Sequence, residues 1–477
     1  MRKEWINEYE PGVKTEINTQ KYNSIADLFK QAVLKYPRSK AYTYNGTSLN
    51  YVRSHKLAKQ LATYLQHLGL QKGDRIALML PNTLPYPIAI FAALQVGIIV
   101  VNINPEFNAA QAQAQLKDSE AKAIIIFENY AHLLQEIRYN LPLKHIIVVD
   151  HGDLQGPIKR LWINTFHRFF KKNSAPYTLP NKIKFQKAIL LGRSLPRKSI
   201  EILGNDIAFI QYGPDTGNKP KGAMLTHRNI LGSVQQLHAF LQPSLLHSKM
   251  KNFISPLPLF MNLSLLPTVM LALTFGANTL LINKPKLHSK FISLLNKKKY
   301  ITLISGFNSF YKSLIAEPNF AKLNFKTWIV AFAGGSSIQV GVAKRWQEIT
   351  GTPITQGYGL TEACSLVSIN PFNHKFYKES IGIPLPNTNI QIRGFHNEHT
   401  VNNDIGELYI QGPQVMKGYW QQPELTKENL SADGWLATGD IVRIDKRGYL
   451  YYIKRKSQKT TSTANNSVLK VDKIKSS

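Results

Sequence analysis

Phe209-Ile210-Gln211-Tyr212-Gly213-Pro214-Asp215-Thr216-Gly217-Asn218-Lys219-Pro220-Lys221-Gly222-Ala223-Met224-Leu225-Thr226-His227-Arg228-Asn229 runs from an apolar, strand-like stretch into a glycine-bearing loop and out past a lysine. A strand that ends in such a loop has the composition of a phosphate cradle. Backbone N–H groups and hydroxyls such as that of Thr216 point at the anion, Gly217 and Gly222 let the backbone approach it, and Lys221 adds a positive charge. As a bare pattern this is weakly specific, so its meaning depends on its surroundings.

Outward from this loop, short β-branched runs at 75–80, 123–127, 145–149, 207–212, 279–282, 301–305 and 328–333 alternate with segments of helical length. Several are continuously apolar, as expected of strands covered by helices on both faces. The predicted fold class is α/β, with stacked, mostly parallel sheets flanked by helices. After Pro384 strand-like runs crowd together at 406–412, 435–443 and 449–455, which predicts a smaller β-rich subdomain at the C-terminal end. The expected organisation is a large α/β region over 1–384, a β-rich subdomain of the same domain over 385–456, and a disordered basic tail over 457–477 with little to bury. No internal repeat is evident.

A chain of 477 residues with 43% hydrophobic and 18% charged residues can bury a large core and is neither fibrous nor wholly disordered. Its single cysteine, Cys364, excludes an internal disulfide and a multi-cysteine metal site, in keeping with a reducing compartment. The polar N-terminus lacks the apolar core of a secretory signal. Apolar runs at 88–101 and 265–275 fall short of the roughly 18 residues of a membrane span and predict buried helices. The expected location is the cytoplasm, with peripheral contact at the inner face of the cytoplasmic membrane as an extension of that reading.

That extension comes from charge. The formal net charge is +30, and residues 154–200 hold no Asp or Glu beside Lys159, Arg160, Arg168, Lys171, Lys172, Lys182, Lys184, Lys187, Arg193, Arg197 and Lys198. From Lys159 to Lys172 the bases interleave with Leu161, Trp162, Ile163, Phe166, Phe169 and Phe170, the composition of an amphipathic segment lying on anionic lipid. A solvated surface element has the same composition. No nucleic-acid partner is expected, because no helix-turn-helix, zinc or RNA-binding motif accompanies the charge.

With its continuation Lys221-Gly222-Ala223-Met224-Leu225-Thr226-His227-Arg228-Asn229, the loop resembles the phosphate loop of the adenylate-forming superfamily, in particular its bacterial long-chain fatty-acid–CoA ligases. The resemblance extends from Trp5 to about Arg455. Ala333-Gly334-Gly335 is similar to that family's adenine-binding turn, and Gly357-Tyr358-Gly359-Leu360-Thr361-Glu362 to its central motif. The resemblance implies that Tyr358 stacks on adenine beside Gly359, that Thr361 bonds the α-phosphate and that Glu362 holds Mg²⁺. Thr438-Gly439-Asp440 is similar to the ribose clamp, with Arg455 assisting, and the resemblance implies that Phe260-Met261 lies near the acyl carboxylate. Lys221, Thr361 and Glu362 are the implied catalytic set, ATP and Mg²⁺ the cofactors, and a fatty acid the substrate.

Some positions depart from that pattern. Gly213, Pro214 and Asp215 replace hydroxyl and glycine residues, Met261 replaces a histidine, and Lys454-Arg455-Lys456-Ser457-Gln458 keeps only the arginine and a flanking base of the hinge. The family's C-terminal domain, with its catalytic lysine, is expected to lie outside this chain, so the coenzyme A site is expected to be incomplete and thioester formation is not expected from the chain alone. Three readings follow: a ligase completed by a separate C-terminal domain protein, a non-catalytic membrane-associated acyl- or nucleotide-binding pseudoenzyme, and a decaying gene product. Pro214 removes a backbone donor and Asp215 adds a negative charge where the polyphosphate would lie. Losing one or two charge-assisted hydrogen bonds, at about 1.5–3 kcal/mol each, costs ATP tenfold or more. Calorimetric titration is therefore expected to show AMP binding at least as tightly as Mg-ATP, with Thr, Gly and Gly at 213–215 selectively strengthening ATP; a wild-type preference for Mg-ATP would contradict this.

Overall fold

The computed structural model describes residues 3–166, 176–213, 220–245, 251–283, 288–297, 300–394 and 404–456. Local signals set the helices. Ser24 accepts from the Asp27 N–H to start Ile25–Lys35, Asn50 accepts from Arg53 to start Tyr51–His67, and Asn108 with Gln111 forms a reciprocal capping box at Ala109–Asp118. The helix Pro85–Leu94 has no polar face, and all of its side chains are buried. A helix apolar all round must be enclosed on every side.

Among the described residues the strands build three sheets. The first has seven strands in the order Ile183–Lys184, His145–Val149, Ala123–Phe127, Arg75–Met79, Ile99–Asn102, Ile207–Tyr212 and Gly222–Thr226. Every pairing in it is parallel except the last, a return strand whose Gly222 sits opposite Tyr212. The second has nine strands: Ile383–Pro384, Ser368–Ile369, Ile354–Tyr358, Trp328–Ala333, Ile301–Gly306, Asn252–Ser255, Asn278–Leu281, Lys40–Tyr44 and Thr47–Asn50. Its centre is parallel and its edges antiparallel. The third is a four-stranded antiparallel sheet of Asn389–Arg393, Ile405–Gln411, Leu436–Ile444 and Leu450–Arg455. The α/β class with a smaller β-rich unit at the C-terminal end is therefore the observed architecture.

One expectation changes in detail. Residues 88–101 do not form a single buried helix; the helix stops at Leu94, the chain turns through Gly97 at φ +70°, and Ile99–Asn102 enters the first sheet. Residues 265–275 are helical and buried, with a π-turn over Leu266–Met270. Among the described residues no helix is long and apolar enough to cross a membrane. The tail expected over 457–477 and the loop residues Pro214, Asp215, Thr216 and Gly217 lie outside the described residues.

The first two sheets are joined by a buried asparagine. Asn82, just beyond the strand Arg75–Met79, donates to the carbonyls of Ser255 at 3.2 Å and Leu257 at 2.8 Å and accepts from the Leu259 N–H at 2.8 Å. These bonds hold the segment that leads to Phe260 and Met261. Asn82→Ala would deprive the buried Leu259 N–H of its acceptor, while the Ser255 and Leu257 carbonyls keep the Ile282 N–H and the Ser264 hydroxyl as donors, a cost of about 1–3 kcal/mol. Urea unfolding is expected to show a loss of that size; a loss below about 0.5 kcal/mol would mean that the loop is held by other contacts.

Candidate functional site

Several of the residues singled out by sequence lie at the carboxyl ends of parallel strands, where open α/β sheets place their ligands, and Asp440 and Arg455 meet them from the antiparallel sheet. Gly213 follows Ile207–Tyr212, Gly334 follows Trp328–Ala333, and Tyr358 ends Ile354–Tyr358. Phe260 lies on the loop beyond Asn252–Ser255.

One of the site's contacts joins two sheets. Tyr358 donates its hydroxyl to Asp440 Oδ2 at 2.6 Å, and Arg455 Nη1 stands 3.2 Å from both Asp440 oxygens. Asp440 is only 3% exposed, so its charge depends on these partners. Its own N–H donates to Thr438 Oγ1 at 3.1 Å, and the Thr438 hydroxyl donates to the Leu408 carbonyl at 2.7 Å. Burial, reinforced by the Asp440 carboxylate, holds the Tyr358 hydroxyl well above the usual phenol range, so it remains a donor. Burial opposes the Arg455 charge, but Asp440, Tyr358 and Glu362 outweigh it and raise that group. Arg455 therefore feels both candidate carboxylates. Lys456 beside it bonds through its amine to Glu407 at 2.9 Å and through its N–H to the Gly439 carbonyl at 2.8 Å.

Glu362 sits on a tight turn. Thr361–Ala363 is a single 3-10 turn, and Cys364 and Ser365 after it take φ of 55° and 108°. The chain folds back so closely that a side chain on Gly359 would place its Cβ 1.5 Å from the Ser365 carbonyl oxygen, which makes glycine mandatory there. Tyr419 donates to Glu362 Oε1 at 2.8 Å, and the Met416 N–H donates to the Glu362 carbonyl at 2.8 Å. Burial, followed by the neighbouring Glu362 charge, pushes the Tyr419 hydroxyl far up, so it stays a donor to the carboxylate. Cys364 is buried and its thiol is pushed up by burial, the environment of a core residue and not of a nucleophile.

The ends of the phosphate-loop connection are tied to this turn. A Cβ on Gly213 would stand 3.6 Å from Thr361 Oγ1, so that hydroxyl faces the loop's first residue. Half-buried Lys221 precedes the return strand Gly222–Thr226. The Trp420 N–H donates to the Gly222 carbonyl at 2.7 Å, and Gln422 Nε2 donates to the Pro220 carbonyl at 2.8 Å. Tyr212 and Trp420 both anchor on Asp118, the first through its hydroxyl to Oδ2 at 2.5 Å and the second through its indole N–H to the carbonyl at 3.1 Å. Thr216 and Gly217 fall outside the described residues.

Phe260 and Met261 are half-buried. The Phe260 carbonyl accepts from Gln211 Nε2 at 2.8 Å, Gln211 Oε1 accepts from Asn102 at 3.1 Å, and Asn102 accepts from the Tyr86 hydroxyl at 3.1 Å. This buried relay sets the candidate acyl segment against the strand that feeds the phosphate loop. Gly334 and Gly335 close the ring. A Cβ on Gly334 would meet Leu263 at 3.0 Å, and one on Gly335, at φ +76°, would meet Phe307 at 2.9 Å. Packing against those side chains is thus reason enough for both glycines. His227 is a buried helix-flanking imidazole that accepts from the Ile25 N–H at 3.2 Å; burial pushes it down to about 4.

Sequence reasoning missed Tyr419, Asp118 and the return strand that carries Lys221 to its neighbours. The available signal was Gly418-Tyr419-Trp420, an aromatic pair after a glycine whose φ of 144° suits no other residue.

Comparison with known proteins places this arrangement. Residues 29–420 match the family described as AMP-binding enzyme. The chain is 37% identical over 457 residues to a long-chain-fatty-acid–CoA ligase of Escherichia coli O157:H7, covering 96% of this chain and 81% of that protein. Among solved structures it is similar to an anthranilate CoA ligase in complex with anthranoyl-AMP, with a TM-score of 0.77 at 19% identity over 92% of this chain and 80% of that one. It is also similar to the inhibitor-bound N-terminal domain of FACL13 from Mycobacterium tuberculosis, with a TM-score of 0.75 at 24% identity over 91% of this chain and 100% of that one. With its fold, its matched length and its identity to curated relatives, the chain belongs to the AMP-binding enzyme family, on the branch of the long-chain-fatty-acid–CoA ligases.

Proposed function

We propose that this protein activates a long-chain fatty acid with ATP, forming acyl-AMP and pyrophosphate, the adenylation half-reaction of an AMP-forming acyl-CoA ligase. The observation that carries the reading is the 37% identity to a curated long-chain-fatty-acid–CoA ligase over 96% of the chain. No observation favours the pseudoenzyme alternative.

In this reading Tyr358, Asp440 and Arg455 seat the nucleoside. Asp440 offers ribose a carboxylate whose position is already fixed by two protein donors, so little ordering is left for binding to supply. Thr361 presents its hydroxyl to the α-phosphate, and Lys221 brings a cation to the far phosphates. Gly334, Gly335 and Gly359 supply backbone that no side chain obstructs. Phe260 and Met261 border the path of the acyl carboxylate, whose oxygen attacks the α-phosphorus as pyrophosphate leaves.

The residues present fit magnesium. Among the described residues no group of three or more His, Cys, Asp or Glu could form an all-protein metal cage. Mg²⁺ characteristically takes one or two carboxylates and completes its octahedron with substrate phosphates and water. Glu362, oriented by Tyr419, is such a carboxylate. When bound there, the ion would neutralise negative charge on the phosphate oxygens around the α-phosphorus.

ATP–pyrophosphate exchange over fatty acids of increasing chain length tests this reading without requiring coenzyme A. Exchange is expected to depend on the acid and to rise toward long chains, and Glu362→Gln is expected to reduce it about a hundredfold or more. Tyr419→Phe removes a hydrogen bond to a charged group, worth about 1.5–3 kcal/mol, and is expected to raise the Mg²⁺ concentration for half-maximal exchange about tenfold with little change in the KM for ATP. Exchange indifferent to the fatty acid would overturn the reading, and an unchanged Mg²⁺ requirement in Tyr419→Phe would remove Tyr419 from it.

A further inference from the structure

Asp118 occupies an unfavourable place for a carboxylate. It is half-buried and is the last residue of the helix Ala109–Asp118, where the helix dipole puts partial negative charge. Burial pushes its carboxyl up; the Tyr212 hydroxyl opposes this, and the nearby Glu120 charge adds to it. What the position gains is a grip on both sides of the strand that Lys221 precedes. Tyr212 donates its hydroxyl to Asp118 Oδ2 at 2.5 Å, and the Trp420 indole N–H donates to the Asp118 carbonyl at 3.1 Å. Tyr212 is the register partner of Gly222, and a Cβ on Gly222 would stand 3.1 Å from the Tyr212 ring, so the ring lies against the backbone next to Lys221. On the other side the Trp420 backbone N–H donates to the Gly222 carbonyl at 2.7 Å, and its neighbour Tyr419 holds Glu362. Arg75 completes the support. Its guanidinium centre lies 5.3 Å from the Trp420 ring centroid, and it donates to the Ser119 and Glu120 carbonyls at 3.0 and 2.9 Å.

We propose that Asp118 is a positioning residue for the phosphates of ATP: through Tyr212 on one side and Trp420 on the other, it keeps Lys221 in register with Glu362, so that the cation and the carboxylate address one polyphosphate. The proposal rests on the reading of the site as an ATP site. Asp118 itself touches no substrate and acts through Tyr212 and Trp420. The sign of its effect separates geometry from charge. Like charges repel, so deleting a carboxylate from the site's support would by charge alone tighten the binding of Mg-ATP. If the carboxylate positions Lys221, deleting it weakens Mg-ATP instead. AMP is seated by Tyr358, Asp440 and Arg455 in the same reading and has no far phosphates for Lys221 to meet, so it does not respond.

Calorimetric titration of the full chain with Mg-ATP and with AMP tests it, alongside ATP–pyrophosphate exchange. Asp118→Ala is expected to weaken Mg-ATP about tenfold, the worth of one hydrogen bond to a charged group, and to leave AMP within about twofold of wild type. In exchange the same variant is expected to raise the KM for ATP about tenfold with little change in the KM for the fatty acid. Asp118→Asn removes the charge but keeps an acceptor for Tyr212, so it is expected to hold Mg-ATP affinity within about threefold of wild type. Tyr212→Phe is expected to match Asp118→Ala, and the double variant to be no worse than either, because the same bond is lost in all three. Unchanged or tighter Mg-ATP binding in Asp118→Ala would overturn the proposal. Equal losses of Mg-ATP and AMP would also overturn it by making Asp118 a general support of the fold, as would an Asp118→Asn variant as weak as Asp118→Ala. A protein that shows the selective loss of Mg-ATP yet exchanges no pyrophosphate would support the positioning role and count against adenylation alone.

Discussion

A buried carboxylate has to be matched by donors, and Asp440 obtains its donors from two different elements. Tyr358 comes from the end of a strand in the nine-stranded sheet, whereas Arg455 comes from the strand Leu450–Arg455 beside Asp440 in the four-stranded sheet. An ionised group shut away from water is costly unless it is paired in good geometry. The two sheets must therefore meet with Tyr358, Asp440 and Arg455 in register, and the proposed nucleoside seat is formed where they do. The N-terminal segment reinforces the same junction: Tyr9 donates to the Pro384 carbonyl at 2.7 Å, Glu8 pairs with Arg447, and Tyr449 donates to Glu8 at 3.1 Å. The chain's beginning thus straps its last sheet to the edge of the second.

The rest of the site hangs from this junction by short covalent and hydrogen-bonded links. Tyr358 leads within four residues to Glu362, Glu362 is held by Tyr419, and the segment through Trp420 pairs with the return strand beside Lys221. On the other side, Gln211 ties the strand entering the phosphate loop to Phe260, and Asn82 secures the approach to Phe260. Tyr419, Gln211 and Asn82 make their links as buried polar side chains bonded to backbone or to another side chain, so the geometry is set by satisfied hydrogen bonds rather than by shape alone.

Much of the fold was legible because its strands are continuous β-branched runs. Ala123–Phe127, His145–Val149, Ile207–Tyr212 and Trp328–Ala333 fall where the sequence placed them. Ile99–Asn102 did not stand out, because it continues the apolar run of Pro85–Leu94 and periodicity cannot separate a buried strand from a buried helix. Asn389–Arg393 was missed for the opposite reason, since its alternating polar residues dilute the apolar signal. At the site, Tyr358, Glu362, Asp440 and Arg455 could be picked out through family resemblance. Tyr419 could not, because its importance lies in a hydrogen bond to a residue 57 positions away. The outward mounting of Ile158, Leu161 and Trp162 on the helix Pro157–Phe166 was equally invisible: composition gave an amphipathic helix, and only the contacts of Arg160 with Asp153 and of Asn164 with Gly152 show which face looks out.

We propose the Tyr358–Asp440–Arg455 contact as the seat of the nucleoside. A crystal structure of the protein bound to a non-hydrolysable acyl-AMP analogue tests it most directly. Ribose hydroxyls are expected within hydrogen-bond distance of Asp440, with adenine lying against the Tyr358 ring beside Gly334 and Gly335 and Arg455 still paired with Asp440. An analogue bound elsewhere, with the Asp440 carboxylate engaged only by Tyr358 and Arg455, would contradict it.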